Sequence, residues 1–132
     1  MPIDFDNQWT SNVALILGYV NARNREGQVY PIWATCLGFE TLMYITSGFA
    51  DNVSVFTEVF GQDGKTCPMI VQSEESELLQ SLSMDEYTDA TTGDGIFFFH
   101  HRWAILHETF KSNDAWQLMW NLVSTSKTPD GT

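Results

Sequence analysis

The sequence predicts an α/β fold, a mostly parallel sheet with flanking helices, and three observations carry that expectation. An apolar, strand-favouring run over 29–33 turns abruptly, at small residues, into a helical pattern that begins at Leu37. A helical stretch over 9–24 precedes it, and strand-like runs over 53–60, 66–71 and 96–99 follow. The 132 residues suffice for one domain with a substantial core, and an apolar fraction of 43% with nine Phe and five Trp supplies the material. The expected organisation is a single domain over 1–132, without an internal boundary.

In the first helix, Thr10 or Ser11 is placed to cap, Val13, Ile16, Leu17 and Val20 form the buried stripe, and Asn24 with Gly27 ends it. Gly18 costs that helix about 1 kcal/mol and would permit close packing. The second helix carries Leu37, Thr41, Tyr44 and Ile45 at helical spacing, with Leu42 and Met43 between them, until Ser47-Gly48 stops the run. Over 53–60, Val53, Val55, Thr57 and Val59 share one side and Phe56, Glu58 and Phe60 the other. A turn at 61–64 leads to the strand 66–71, a short acidic helix over 74–83 and a polar stretch over 83–95, assigned to a solvent-facing loop.

Ile96, Phe97, Phe98 and Phe99 read as a buried strand, because four large apolar groups in a row are costly to expose. That strand delivers His100 and His101 to its end, where alternation lets only one of the two face a cleft. Ser112 or Asn113 caps a last helix with Ala115, Leu118, Met119 and Leu122 on one face. Trp116 and Trp120, one turn apart, read as packing residues, or as the groups that would meet a partner.

The chemistry concentrates at Cys36. A side chain at a strand-to-helix bend is held up where a substrate can reach it. The free N–H groups and dipole of a helix start favour a thiolate, and the Leu37 N–H would face a developing oxyanion. Small residues fit such a bend, Gly38 fully and Ala34 in part. The same cysteine, set among Trp33, Leu37 and Phe39, equally reads as a buried small apolar side chain. A disulfide between Cys36 and Cys67 is a further alternative that would end any role as nucleophile.

At Tyr30-Pro-Ile-Trp-Ala-Thr-Cys36-Leu-Gly-Phe-Glu40 the chain resembles the gamma-glutamyl hydrolases, members of the class I glutamine-amidotransferase-like cysteine hydrolases of flavodoxin-like fold. Only Ala34 departs from the family run, where it replaces glycine. Weaker matches follow in order: Ser47-Gly48, Glu77-Leu-Leu-Gln-Ser-Leu82, His101-Arg102-Trp103, and the tail from Phe110 through Asn121-Leu-Val to Asp130-Gly131.

The resemblance implies Cys36 as nucleophile, the Leu37 N–H as oxyanion donor, His101 as an assisting active-site histidine, and Glu40 as a residue orienting neighbours or substrate. His100 and Arg102 join the expected substrate-binding set, although Arg102 reads equally as an exposed charge at a strand end. The family's base, a histidine in a late Gln-Trp-His-Pro-Glu run, has no counterpart in the chain, and its position would lie after Thr132. Met1-Pro-Ile-Asp-Phe-Asp likewise resembles an entry just beyond the family's other oxyanion loop.

The implied substrate is a gamma-glutamyl peptide or folate polyglutamate, cleaved without a cofactor; the alternative is a catalytically inactive structural or interaction subunit. An incomplete sheet leaves a face or an edge uncovered, so a protein partner or self-association is expected. Seventeen acidic against six basic residues, a net charge of −11, disfavour nucleic acid and anionic membranes. His100, His101, His107 and Glu108 lack zinc-ligand spacing, so no metal is expected. The resemblance implies a lysosomal or extracellular location, while the opening residues do not form a signal peptide and no apolar run is long enough to cross a membrane. Asn52-Val-Ser54 is a possible glycosylation sequon.

Overall fold

The computed structural model describes residues 4–48, 55–60 and 64–127. In chain order its elements are α1 (Gln8–Arg25), α2 (Leu37–Thr46), β1 (Thr57–Glu58), β2 (Lys65–Cys67), β3 (Ile70–Val71), α3 (Glu77–Gln80), α4 (Met84–Thr91), β4 (Phe97–Phe99), β5 (Trp103–Ala104), α5 (His107–Ser112), α6 (Asp114–Met119) and β6 (Ser124–Thr125). The sequon Asn52-Val-Ser54, Val53 of the expected strand, the turn residues 61–63, the opening Met1-Pro-Ile and Asp130-Gly131 lie outside the described residues. Two compact units form, Met1–Val55 with Phe110–Met119, and Phe56–Thr109 with Trp120–Thr132.

The first unit is helical. Asn7, rather than Thr10 or Ser11, caps α1: its side-chain oxygen accepts the Thr10 N–H at 3.0 Å. Of the expected stripe only Leu17 is buried; Val13 and Val20 are half-covered and Ile16 is exposed. Thr10 joins Leu17 two turns away, so α1 buries a narrow seam rather than a broad face. A Cβ at Gly18 would meet nothing, so no close packing depends on it.

Helix α2 is the best-anchored element of this unit, and it ends where the sequence places its stop, with Gly48 at φ 81°. Thr41 is fully buried; its hydroxyl donates to the Leu37 carbonyl at 2.7 Å and accepts the Trp9 indole N–H at 3.3 Å. At the other end Trp116, 0% exposed, donates its indole N–H to the Met43 carbonyl at 2.9 Å and stacks on Phe110. Asn113 caps α6 through the Trp116 N–H and also donates to the Ser47 carbonyl at 3.2 Å. The expected face of that last helix is reversed: Leu118 is 91% exposed and Met119 half so, because the indole of Trp116 takes the inward position.

The second unit overturns the expected mostly parallel, flavodoxin-like sheet. Among the described residues the strands form three separate antiparallel pairs, β1 with β5, β2 with β4, and β3 with β6. A parallel pair needs two extended segments brought side by side by a crossover. The segment expected to lead that sheet, 29–33, pairs with no strand among the described residues. The Asn24 side chain takes its Tyr30 N–H and C=O at 2.8 and 3.2 Å, and Pro31 has no N–H to offer. The expected strand 66–71 is broken at Pro68 into β2 and β3, and the described residues 55–60 contribute only the two residues of β1.

The strand at 96–99 forms as β4, in register Lys65 opposite Phe99 and Cys67 opposite Phe97, yet it is not buried: Phe98 is 65% exposed and Ile96 and Phe97 face solvent. A core gathers instead around Met69, Leu79 and Ala90, with Val71, Leu82 and Val123 packed against it. It exists because the polar stretch 83–95 is not a loop. Ser83 and Glu86 make a reciprocal capping box that starts α4, which brings Ala90 inward and its carbonyl onto the Met69 N–H at 2.8 Å. The acidic helix expected over 74–83 shortens to the single turn of α3.

Candidate active site

Cys36 stands at the joint between the extended segment and α2, and it is exposed, which removes the reading of a buried packing residue. Cys67 is the buried thiol, and both cysteines are free. The main chain turns at Cys36 with φ 54° and ψ −127°, the one positive φ at a non-glycine among the described residues. A side chain in this region costs about 1–3 kcal/mol and persists only where the surroundings impose it.

Here they do. The Thr35 carbonyl accepts the Gly38 N–H and the Cys36 carbonyl accepts the Glu40 N–H, each at 3.0 Å, closing the first helical turn around the cysteine. Among the described residues nothing accepts the Leu37 N–H, so it remains a donor at the start of a ten-residue helix. The bend does not need a glycine at Gly38, since a Cβ there would meet open space. Trp33 is 82% exposed, and its indole N–H donates to the Thr35 hydroxyl at 3.0 Å.

Glu40 lies one turn along α2, half-buried, and that burial raises its carboxyl pKa above the ordinary value. A carboxylate so placed is a better proton acceptor than one in water. The first unit contains no histidine, so the acid–base side chain nearest in sequence to the thiol is this carboxyl.

His100, His101 and Arg102 belong to the second unit. The alternation expected at the end of β4 is present. His100 stacks with Phe98 on one side at 6.4 Å, and His101 meets Phe99 edge-on at 5.3 Å on the other. His100 is exposed and His101 half-buried, with its Nδ1 2.9 Å from the Trp103 carbonyl. Arg102 is paired with Glu58, across the β1–β5 ladder, and much of its side chain remains in solvent.

No group of three metal-ligating side chains forms among the described residues, and no described helix is long and apolar enough to cross a membrane. A shallow groove of about 340 Å³, lined by Asn24, Gly27, Gln28, Val29, Tyr30 and Pro31, holds no thiol, carboxylate or cation.

Sequence reasoning missed the groups that fix the elbow from either side. Asn24 was legible only as a helix end, and Thr35 only as a member of the run that leads to Cys36. An asparagine six positions before a strand-like residue that precedes proline is the signal, since its side chain offers both a donor and an acceptor.

Comparison with known proteins finds relatives in the family that the sequence resembles. The chain is 26% identical over 106 residues to gamma-glutamyl hydrolase of Bos taurus and 27% identical over 106 residues to that of Homo sapiens, in each case 76% of this chain and 30% of the relative. The chain is a distant homologue of gamma-glutamyl hydrolases. Gamma-glutamyl hydrolase B of Dictyostelium discoideum is 25% identical over 133 residues, 98% of this chain and 37% of that protein. The chain therefore spans about a third of the length of the curated relatives it matches. No family model matches it.

Proposed function

We propose that the chain carries the nucleophile half of a cysteine hydrolase acting on gamma-glutamyl bonds, of the folyl-polyglutamate type, in the lysosome or outside the cell. The Cys36 sulfur attacks the gamma-carbonyl carbon, and the Leu37 N–H donates to the oxyanion. The thiol's proton passes to the nitrogen of the gamma-amide C–N bond as that bond breaks, the amine leaves, and water cleaves the thioester, releasing glutamate's gamma-carboxyl and restoring the thiol. Glu40, in the unit that holds the thiol, orients the substrate. The observation that carries the reading is the positive φ of Cys36 on an exposed thiol, a strained bend of the kind nucleophiles occupy.

The test compares wild type with Cys36→Ala and Cys36→Gly. Wild type should release amine from a gamma-glutamyl anilide and show an acyl adduct in the intact mass, and both variants should do neither. Cys36→Gly should also unfold at higher denaturant than Cys36→Ala, by about 1 kcal/mol, because glycine removes the strain and alanine keeps it. A wild type that forms no adduct while Cys36→Gly gains stability would remove the catalytic reading and leave the strained turn intact.

A second reading, an inactive subunit that binds a protein partner or a second copy, is favoured by the absence of any histidine from the unit that holds Cys36. A monodisperse monomer that hydrolyses gamma-glutamyl peptides on its own would overturn it.

A further inference from the structure

His101 is held on two sides, and one of its contacts decides its chemistry. A neutral imidazole has one nitrogen that donates and one that accepts, and the group facing either nitrogen selects which. The Trp103 carbonyl, 2.9 Å from Nδ1, has only lone pairs to offer, so the proton of that hydrogen bond must sit on Nδ1. The edge-on contact with Phe99, centroids 5.3 Å apart and planes at 72°, restrains the ring against flipping. Trp103 is itself fixed by the ladder that sets it opposite Glu58, with the neighbouring Arg102 carbonyl accepting the Val59 N–H at 2.7 Å. The acceptor is main chain, so side-chain motion does not remove it.

We infer that the Trp103 main-chain carbonyl is a positioning group that locks neutral His101 as its Nδ1–H tautomer, so that His101 meets its ligand through the lone pair of Nε2. The consequence is a choice of ligand chemistry. A neutral ring locked this way accepts a hydrogen bond and cannot donate one outward, so it suits an amide N–H or an ammonium and not a carboxylate. Resting on the reading of a gamma-glutamyl substrate, the matching group is the alpha-ammonium of the glutamyl residue, leaving substrate carboxylates to cations.

The experiment is ring-nitrogen NMR on the full chain above the ordinary histidine range, followed by titration with a gamma-glutamyl dipeptide. Correlations of His101 showing a protonated Nδ1 and a bare Nε2 are expected. A protonated Nε2, or tautomers averaged as in a free imidazole, would overturn the inference. Trp103→Leu keeps the carbonyl and should keep the signature, whereas its loss in a folded variant would show that the indole sets it, against the inference. His101→Asn retains a donor at the Nδ1 position but has no Nε2, and should fold like wild type while binding the dipeptide about tenfold more weakly. Unchanged dipeptide affinity in His101→Asn would overturn the ligand assignment. If the tautomer is as expected and the wild type does not bind the dipeptide at all, the lock stands and the gamma-glutamyl reading fails.

Discussion

The two units of the chain answer differently to sequence reasoning. In the first, the helix boundaries of α1 and α2, the stop at Ser47-Gly48 and the sharp turn at Cys36 follow from residues within a few positions of one another. In the second, strands arise near the expected places but pair antiparallel in twos, and a helix appears where a loop was expected. Caps and turns are decided by local hydrogen bonds, while sheet direction is decided by which distant segment arrives alongside. A run such as 96–99 fixes that a strand exists; it does not fix what covers the strand.

The contrast can be broken first at Trp116. Replacing it with Ala removes a fully buried ring, its stack on Phe110 and its bond to the Met43 carbonyl, and should cost about 3–5 kcal/mol in denaturant unfolding. Hydrogen exchange should quicken through 37–46. A loss below about 1 kcal/mol would mean that α2 does not depend on its C-terminal anchor.

The counterpart in the second unit is Gly95. It sits at φ 69° with the Cys67 carbonyl where a Cβ would stand, so Gly95→Ala must push β2 and β4 apart. A loss of about 1–3 kcal/mol is expected, with exchange quickening at 65–67 and 97–99. Full retention of stability would show that this pairing adds nothing.

The smallest effect sharpens the comparison through pH. Hydrogen bonds from the Ser83 hydroxyl, and then from its N–H, hold the Glu86 carboxyl below its ordinary value. Its contribution is therefore present above the unfolded glutamate pKa of about 4.3 and is lost as pH falls through the lower folded value. Glu40 runs the other way: burial raises its pKa, so its contribution is present below about 4.3 and is lost as pH rises through the folded value. Carbon chemical shifts over 84–91 should lose helicity on acidification, while those over 37–46 should hold. Parallel loss in both helices would contradict the opposite signs.

Legibility in the sequence cuts across the two units. The elbow was legible because the strand-to-helix change of period, the small residues and the cysteine fall within a few positions. The capping box of α4 was equally local, as Ser83 and Glu86 three apart, and it was hidden by the surrounding Asp, Thr and Gly that read as loop. The inward position of Trp116 was not legible, because a large ring and its bond to a carbonyl 73 positions away outweighed the apolar face around Leu118. For the candidate site, residue identities could be named from the resemblance. The pairing of Arg102 with Glu58 required the β1–β5 register, and that of His101 with the Trp103 carbonyl the local course of the main chain between them.

One side chain gives the approach to the thiol its geometry. Asn24 presents Tyr30 with the donor and acceptor that a peptide unit of a neighbouring strand would present, from six positions away in the same chain. The main chain between them is thereby a closed ring, and ring closures are set by length more than by composition. An insertion within 25–29 would slacken the tether and let the cysteine's starting point wander, whereas substitutions there that keep the length would leave it in place. The position of the nucleophile is in this sense a matter of counting residues back to the last turn of α1.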